Sequence, residues 1–127
     1  MTKAALIAAG ALLFLCTAAW AQSSSPAGEA GELAFNNACR TCHSVKEGDN
    51  RLGPSLYRVI GRKAGSLPGY AYSDSMKHAD IAWDEATLDR FMANPDAVVA
   101  NNKMKPFGGM ASAEERGKII AYLKTRS

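Results

Sequence analysis

Two cysteines and a histidine form the most chemically specific cluster of the sequence. Cys39 and Cys42 lie three positions apart in the segment CRTCHSV, and His43 directly follows the second cysteine. Thiol and imidazole groups at this spacing can hold zinc, exchange thiols with disulfides, or attach haem. Each chemistry needs further residues, so the rest of the chain discriminates between them.

The remaining ligands favour haem. A closed zinc site takes four ligands, and the chain offers too few, because the only other histidine is His78. A thioredoxin-like dithiol requires a βαβ context, and no strand pattern surrounds the motif. C-x-x-C-H is the signature of c-type haem attachment. In that chemistry the two sulfurs form thioethers with the haem vinyl groups, and the imidazole of His43 lies beneath the iron.

The N-terminal segment has the pattern of a secretory signal. Lys3 gives a positively charged start, residues 4–20 form an apolar run, and Ala19-Trp20-Ala21 has small residues where a signal peptidase cleaves. We therefore expect residues 1–21 to be a cleaved signal peptide and residues 22–127 to form a single domain in the periplasm. A retained membrane anchor is disfavoured, because the apolar run is a little short for a span.

The composition limits the function further. Loss of Lys3 with the leader lowers the formal net charge from +3 to +2, which does not suggest nucleic-acid binding. Cys16 also leaves with the leader, so the two cysteines of the motif cannot build a disulfide framework. A domain of this size has a marginal hydrophobic core, and a covalently held porphyrin would enlarge that core.

Helical patterns position the motif. Pro26 suits the first position of a helix, and residues 29–37 are predicted to be helical up to the motif. Residues 61–69 are predicted to be irregular because they are rich in turn signals, and residues 73–79 form a short helix at best.

The C-terminal half contains two clearer helices. Asp84 is a favourable N-cap for a helix over residues 84–93. Residues 96–110 are predicted to form a long loop. Ser112 and Glu115 then form a capping box at the start of a final helix that ends near position 124. The predicted class is all-α.

A second axial ligand is expected because an electron carrier benefits from six-coordinate iron, and a methionine opposite the histidine raises the potential. Met104 and Met110 both lie in the predicted long loop, and the residue types alone do not choose between them. Met92 has the spacing of a core residue in its helix, Met76 lies in the short helix, and His78 is expected at the surface.

The chain resembles the class I c-type cytochromes, which include mitochondrial cytochrome c and its small soluble bacterial relatives. The matching segments follow one another along the chain as CRTCHSV, GPSLY, GRKAGSLPGYAYSD, IAWDEATLDRFMANP, NKMKPFGG and EERGKIIAYLK. The resemblance implies an all-α class I cytochrome c fold, with about four to five short helices wrapped around one covalently attached haem c.

The resemblance also implies a role for individual residues. It makes Cys39 and Cys42 the thioether anchors and makes His43 and Met104 the axial ligands of the iron. Pro54 matches a proline whose carbonyl oxygen accepts a hydrogen bond from the proximal imidazole.

Further matches concern the haem propionate and one helix crossing. Tyr72 and Trp83 match residues that hydrogen-bond a buried propionate, and Arg62 matches the arginine near the same group. The crossing of the first and last helices is matched by Gly31, Phe35 and Tyr122.

Three residues depart from the family pattern. Phe91 replaces a tyrosine that hydrogen-bonds near the axial methionine, Met76 replaces a polar residue close to the haem, and Asn102 replaces a threonine that bonds the propionate. The potential typical of the family is therefore not transferred to this chain. Lys105-Pro106 also lengthens the loop after Met104.

The function implied by the resemblance is single-electron transport in a respiratory or photosynthetic chain, without substrate turnover. Expected partners are a quinol–cytochrome c oxidoreductase, a terminal oxidase, a reaction centre or a periplasmic dehydrogenase, and neither nucleic acid nor a membrane segment is expected to take part after cleavage. The mature chain is expected to be a monomer. We expect some of the basic residues near the motif and the ligand loop to surround the haem edge, namely Arg40, Lys46, Lys103 and Lys105.

Two other functions are compatible with the motif. A haem enzyme or gas sensor would require a vacant iron position, which a methionine ligand would fill. A dedicated subunit of one periplasmic dehydrogenase would have nearly the same sequence features as a free carrier.

Overall fold

Five helices make up the regular structure of residues 25–127, the part of the chain that the computed structural model describes. They are α1 (Pro26–Ala38), α2 (Asp74–His78), α3 (Glu85–Ala93), α4 (Pro95–Val98) and α5 (Ala113–Lys124). The predicted all-α class is confirmed. The predicted signal peptide, residues 1–21, lies outside the described residues. Within residues 25–127 no helix is both long and apolar enough to cross a membrane.

Helix α1 leads directly into the cysteine motif. Ser25 caps the helix, its side chain accepting a hydrogen bond from the Gly28 backbone, and Pro26 occupies the first turn as predicted. Hydrogen bonding continues beyond the helix end, because the Cys39 N–H donates to Phe35 O at 2.8 Å and the His43 N–H donates to Cys39 O at 2.9 Å. The motif is therefore held as an additional turn on the end of α1.

The predicted caps of the two later helices are confirmed. The Asp84 carboxylate accepts a hydrogen bond from the Thr87 N–H at 2.7 Å, and α3 begins at the next residue. The Ser112 hydroxyl accepts from the Glu115 N–H at 3.2 Å at the start of α5. Each cap satisfies a donor that has no partner within its own helix.

The prediction of a continuous loop over residues 96–110 is wrong at its start, where α4 lies. Asn94 ends α3 by donating its N–H to Arg90 O at 3.0 Å, and its side chain accepts from the Ala97 N–H at 3.3 Å. The Asn94-Pro95 pair therefore both stops one helix and starts the next, because Asn is a favourable N-cap and Pro suits the first helical position.

The crossing of α1 and α5 requires the predicted glycine. A Cβ placed on Gly31 would lie 2.7 Å from Lys118 O and 2.9 Å from the Tyr122 Cβ, so no larger residue fits without moving a helix. Phe35 packs on Tyr122 with 5.4 Å between their ring centroids. The expected contact between these three residues is confirmed.

Two extended segments from the predicted irregular region and from the entry to α3 pair with each other. The Gly61 N–H donates to Trp83 O at 2.8 Å, and the Trp83 N–H donates to Arg62 O at 2.9 Å. Lys63 and Ala82 form an isolated antiparallel bridge in the same pairing. This short pairing fixes Arg62 beside Trp83.

Candidate functional site

A cavity of about 420 Å³ adjoins the turn that carries the cysteine motif. Its volume lies in the range of cofactor pockets, about 300–1,000 Å³. Its walls include core side chains from the loops and from α2, α3 and α5: Val59, Met76, Leu88, Phe91, Met92, Ile119 and Leu123. All eight residues that the sequence analysis assigned to a haem site also line it, namely Cys39, Cys42, His43, Pro54, Arg62, Tyr72, Trp83 and Met104.

His43 is held in one protonation state by its surroundings. Its ring nitrogen Nδ1 lies 2.8 Å from Pro54 O, and a carbonyl oxygen can only accept, so Nδ1 carries the proton. Burial lowers the pKa of His43, and the side chain is only 7% exposed. The neutral imidazole therefore keeps its lone pair on Nε2, as a metal ligand requires.

Gly53 leaves the space that this imidazole fills. A Cβ at Gly53 would lie 2.6 Å from His43 Nδ1 and 2.9 Å from Nε2, which no side chain tolerates. The Gly53 N–H also donates to Cys42 O at 2.8 Å, which ties the glycine to the motif. Gly53 was not among the predicted site residues, although its position directly before Pro54 was a usable signal.

Cys39 and Cys42 are not joined by a disulfide, and both are partly buried at the cavity wall. Burial raises the pKa of Cys39 to about 11, with a smaller contribution from the neighbouring Cys42. A reactive dithiol depends on a lowered thiol pKa, so the raised value argues against thiol–disulfide exchange. Thioether formation removes the ionisable proton and is compatible with burial.

Met104 is the loop methionine that reaches the cavity. It is half-buried and lines the cavity, whereas Met110 does not line it and instead donates its backbone N–H to Met92 O at 2.8 Å. Met92 and Met76 are buried wall residues. His78 is exposed, outside the cavity, with Nδ1 2.7 Å from Asp74 O.

Arg62 supplies a half-buried positive charge at the cavity. Its guanidinium donates to Ser55 O at 2.9 Å and to Tyr57 O at 3.2 Å, and it forms no ion pair with another of residues 25–127. Burial lowers the pKa of Arg62 and raises the pKa of Tyr72. A partly buried cation without a carboxylate partner fits an anionic group of a bound cofactor.

Met76 and Phe91, the two apolar residues that depart from the family pattern, line the cavity and fit a haem pocket. Trp83 is buried and packs on Phe91, with 4.9 Å between ring centroids. Asn102, in contrast, does not line the cavity: it is 5% exposed and hydrogen-bonds within its own loop and to α4. The departure at Asn102 therefore concerns the packing of the loop and not the cavity wall.

Comparisons with known proteins agree with this geometry. The sequence model of the family described as "Cytochrome C oxidase, cbb3-type, subunit III" matches residues 26–123. Cytochrome c of Euglena viridis is 43% identical over 97 residues, which cover 76% of this chain and 94% of that protein. Cytochrome c2 of Rhodomicrobium vannielii is 43% identical over 113 residues, which cover 84% of this chain and 86% of that protein.

A solved structure gives the same result for the fold. Cytochrome cH from Methylobacterium extorquens superposes with a TM-score of 0.70 at 41% identity, covering 77% of this chain and 97% of that one. The two cysteines of the motif carry the spacing that covalent haem attachment requires. The chain belongs to the class I c-type cytochromes, a family of electron carriers that bind one covalently attached haem c.

Proposed function

We propose that residues 22–127 form a soluble periplasmic monohaem cytochrome c that passes single electrons between redox proteins, with His43 and Met104 as axial ligands. The observation that carries the proposal is the cavity itself. One apolar space is lined by both cysteines, by a neutral histidine and by one loop methionine. A thioether and an imidazole are the ligand pair of many electron-transfer haems.

The residues of this chain divide the work of such a site. Haem c, when bound, supplies the one-electron chemistry, since its iron can be ferrous or ferric. Cys39 and Cys42 would hold the group in place, and the Pro54 carbonyl orients the His43 ring. The Met104 thioether is a soft ligand that favours the reduced state. The buried aliphatic and aromatic walls exclude water, which keeps reorganisation small.

The choice of Met104 over Met110 can be tested directly. Met104→Ala should abolish the weak long-wavelength sulfur-to-iron band of the ferric protein and give a reduced form that binds carbon monoxide. Met110→Ala is the matched control and should leave both properties unchanged, because Met110 does not line the cavity. Loss of the band in the Met110 variant alone would contradict the assignment of Met104.

Periplasmic location follows from the proposed leader. Expression of the full chain in a bacterium that matures c-type cytochromes should release a haem-stained protein on osmotic shock, and its N-terminus should be Gln22. Retention in the membrane fraction with an intact leader would contradict the proposed cleavage.

The cavity mouth is the proposed route for electrons. Lys103 and Lys105 lie at the cavity, and both side chains are exposed, as are Arg40 and Lys46 beside the motif. A positive surface of this kind accelerates association with acidic partners, and added salt weakens the effect. The electron-transfer rate with an acidic redox partner should therefore fall as salt is raised, and a salt-independent rate would remove the lysines from the docking face.

A free carrier and a dedicated enzyme subunit differ in one measurable property. Purification from native cells at physiological salt should yield the free carrier alone. Stoichiometric co-purification with one dehydrogenase would favour the subunit.

A further inference from the structure

The loop that carries Met104 is fastened to α4 by a buried amide. Asn102 donates from Nδ2 to Asp96 Oδ1 and to Val99 O, both at 2.9 Å, and its Oδ1 accepts the Met104 backbone N–H at 2.9 Å. Asn102 is only 5% exposed, so water has little access to the amide itself. Three of the four hydrogen-bonding positions of the amide are therefore used by groups of residues 96–104.

The contacts leave one orientation for this amide. An exchanged amide would place its NH₂ group against the Met104 N–H, so that two donors would face each other. It would also place the oxygen against two acceptors, Asp96 Oδ1 and Val99 O. The position is therefore specific for asparagine, because aspartate lacks the two donors and would add a second negative charge beside Asp96.

Asp96 accepts hydrogen bonds from the loop on both sides of Met104. Its Oδ1 accepts from Asn102, two residues before Met104, and its Oδ2 accepts from Lys105 Nζ at 2.6 Å, one residue after it. The Lys105 pair is half exposed and contributes little by itself, whereas the Asn102 amide that joins Asp96 to the loop is buried. Asp96 belongs to α4, whose first residue, Pro95, is fully buried, so the anchor is rigid.

We propose that Asn102, held by Asp96, is a positioning residue that keeps Met104 in the cavity and slows its release. This inference rests on the proposed ligation by Met104. Asn102 does not line the cavity, and it acts through the backbone of the ligand residue. The Asp96–Asn102–Met104 contacts are called the loop clasp below.

The proposal predicts faster opening of the loop when the clasp is removed. Imidazole is the probe, because it binds ferric haem in place of a protein ligand. At saturating imidazole the binding rate therefore reports how often Met104 leaves. Asn102→Ala leaves the Met104 N–H without its buried partner and should raise this limiting rate about tenfold or more, as the cost of one unsatisfied buried group implies. Asn37→Ala, which removes an exposed amide from α1, is the control and should leave the rate unchanged.

A second variant keeps the test decisive if Asn102→Ala does not fold. Asp96→Ala removes the exposed end of the clasp and should raise the limiting rate about threefold or more, since the charge-assisted hydrogen bonds to Asn102 and to Lys105 are both lost. Asp80→Ala is its control, because the Asp80 side chain is fully exposed and its distance to Lys63 is 4.0 Å. In the double variant Asp96→Ala/Asn102→Ala, the increase in the limiting rate should be smaller than the product of the two single increases. This is expected for residues that share one contact.

The outcomes separate the clasp from the ligation. A sulfur-to-iron band that is present in the wild type and absent in Met104→Ala supports ligation by Met104. If the limiting imidazole rates of both clasp variants then equal those of their controls, the clasp is overturned and the ligation stands. A wild type that lacks the band and takes up imidazole at a rate proportional to its concentration overturns both. Thermal unfolding, measured alongside, identifies a merely structural effect, which would lower the unfolding temperature without changing the limiting rate.

Discussion

At the scale of single residues, the His43 side of the cavity depends on the missing side chain of Gly53 as much as on the carbonyl group of Pro54. Gly53 has no side chain, and the His43 ring occupies the space that a Cβ would need. The adjacent Pro54 lacks an N–H, and its carbonyl fixes the proton on Nδ1. The dipeptide therefore sets both the position of the imidazole and its protonation state.

Gly53→Ala should displace the imidazole and weaken haem retention. The added methyl would lie 2.6 Å from Nδ1, and overpacking of this kind costs about 1–3 kcal/mol. The yield of haem-loaded protein and the unfolding temperature should both fall. Gly108→Ala is the matched control, because a Cβ there meets no atom within 4 Å. An unchanged haem yield and unfolding temperature in the Gly53 variant would show that the His43 ring can move without weakening haem retention.

Sequence patterns predicted the residues that would bind haem better than the residues that position them. Cys39, Cys42 and His43 lie close together in sequence, and their spacing alone indicates haem attachment. Met104 was identified only through the family resemblance. Asn102 was identified only as a departure from the family pattern, and its actual partners in α4 and the loop were not predicted. Hydrogen bonds between a loop and a one-turn helix leave no periodic pattern in the sequence.

At the scale of elements, helix ends were predictable and short tertiary pairings were not. The starts of α3 and α5 depend on capping residues that were recognised in the sequence. Helix α1 begins at Pro26, before the predicted span of residues 29–37, because its cap Ser25 was not recognised. Helix α4 was missed because residues 96–110 were predicted to be one continuous loop, although Asn94 and Pro95 are residues that can start a helix. The pairing of residues 61–64 with residues 81–83 was missed because one isolated bridge is too short to show alternation.

The α1–α5 crossing gives a paired prediction. Gly31→Ala should lower the free energy of unfolding by about 1–3 kcal/mol, because its Cβ would collide with Lys118 O and Tyr122. Gly117→Ala, on an open face of α5, should raise it by about 1 kcal/mol through helix propensity alone. Denaturant unfolding of the haem-loaded variants measures both. Equal effects of the two substitutions would contradict the close approach of the helices.

At the scale of the whole molecule, the hydrophobic core is built around the cavity. The helices surround a cavity of about 420 Å³ instead of packing fully on one another. An unfilled cavity of that size would cost on the order of 10 kcal/mol, at about 24 cal/mol per Å³. This cost is comparable with the whole stability of a typical domain, about 5–15 kcal/mol.

The protein without haem should therefore be largely unfolded. A Cys39→Ala/Cys42→Ala variant, purified free of haem, should show weak far-ultraviolet circular dichroism and no cooperative thermal transition at neutral pH. The haem-loaded wild type provides the reference for both signals. A native-like helical signal with a sharp transition would mean that the polypeptide core suffices by itself.

The proposed electron transport depends on an iron whose two axial positions are both filled by the protein. It is tested first by the visible absorption spectrum of the haem-loaded protein, ferric and then reduced, with and without carbon monoxide. Ligation by His43 and Met104 predicts a low-spin spectrum, a weak long-wavelength sulfur-to-iron band in the ferric form, and no response to carbon monoxide. A high-spin spectrum that shifts when carbon monoxide is added would contradict it and would place a ligand-binding or catalytic haem protein first.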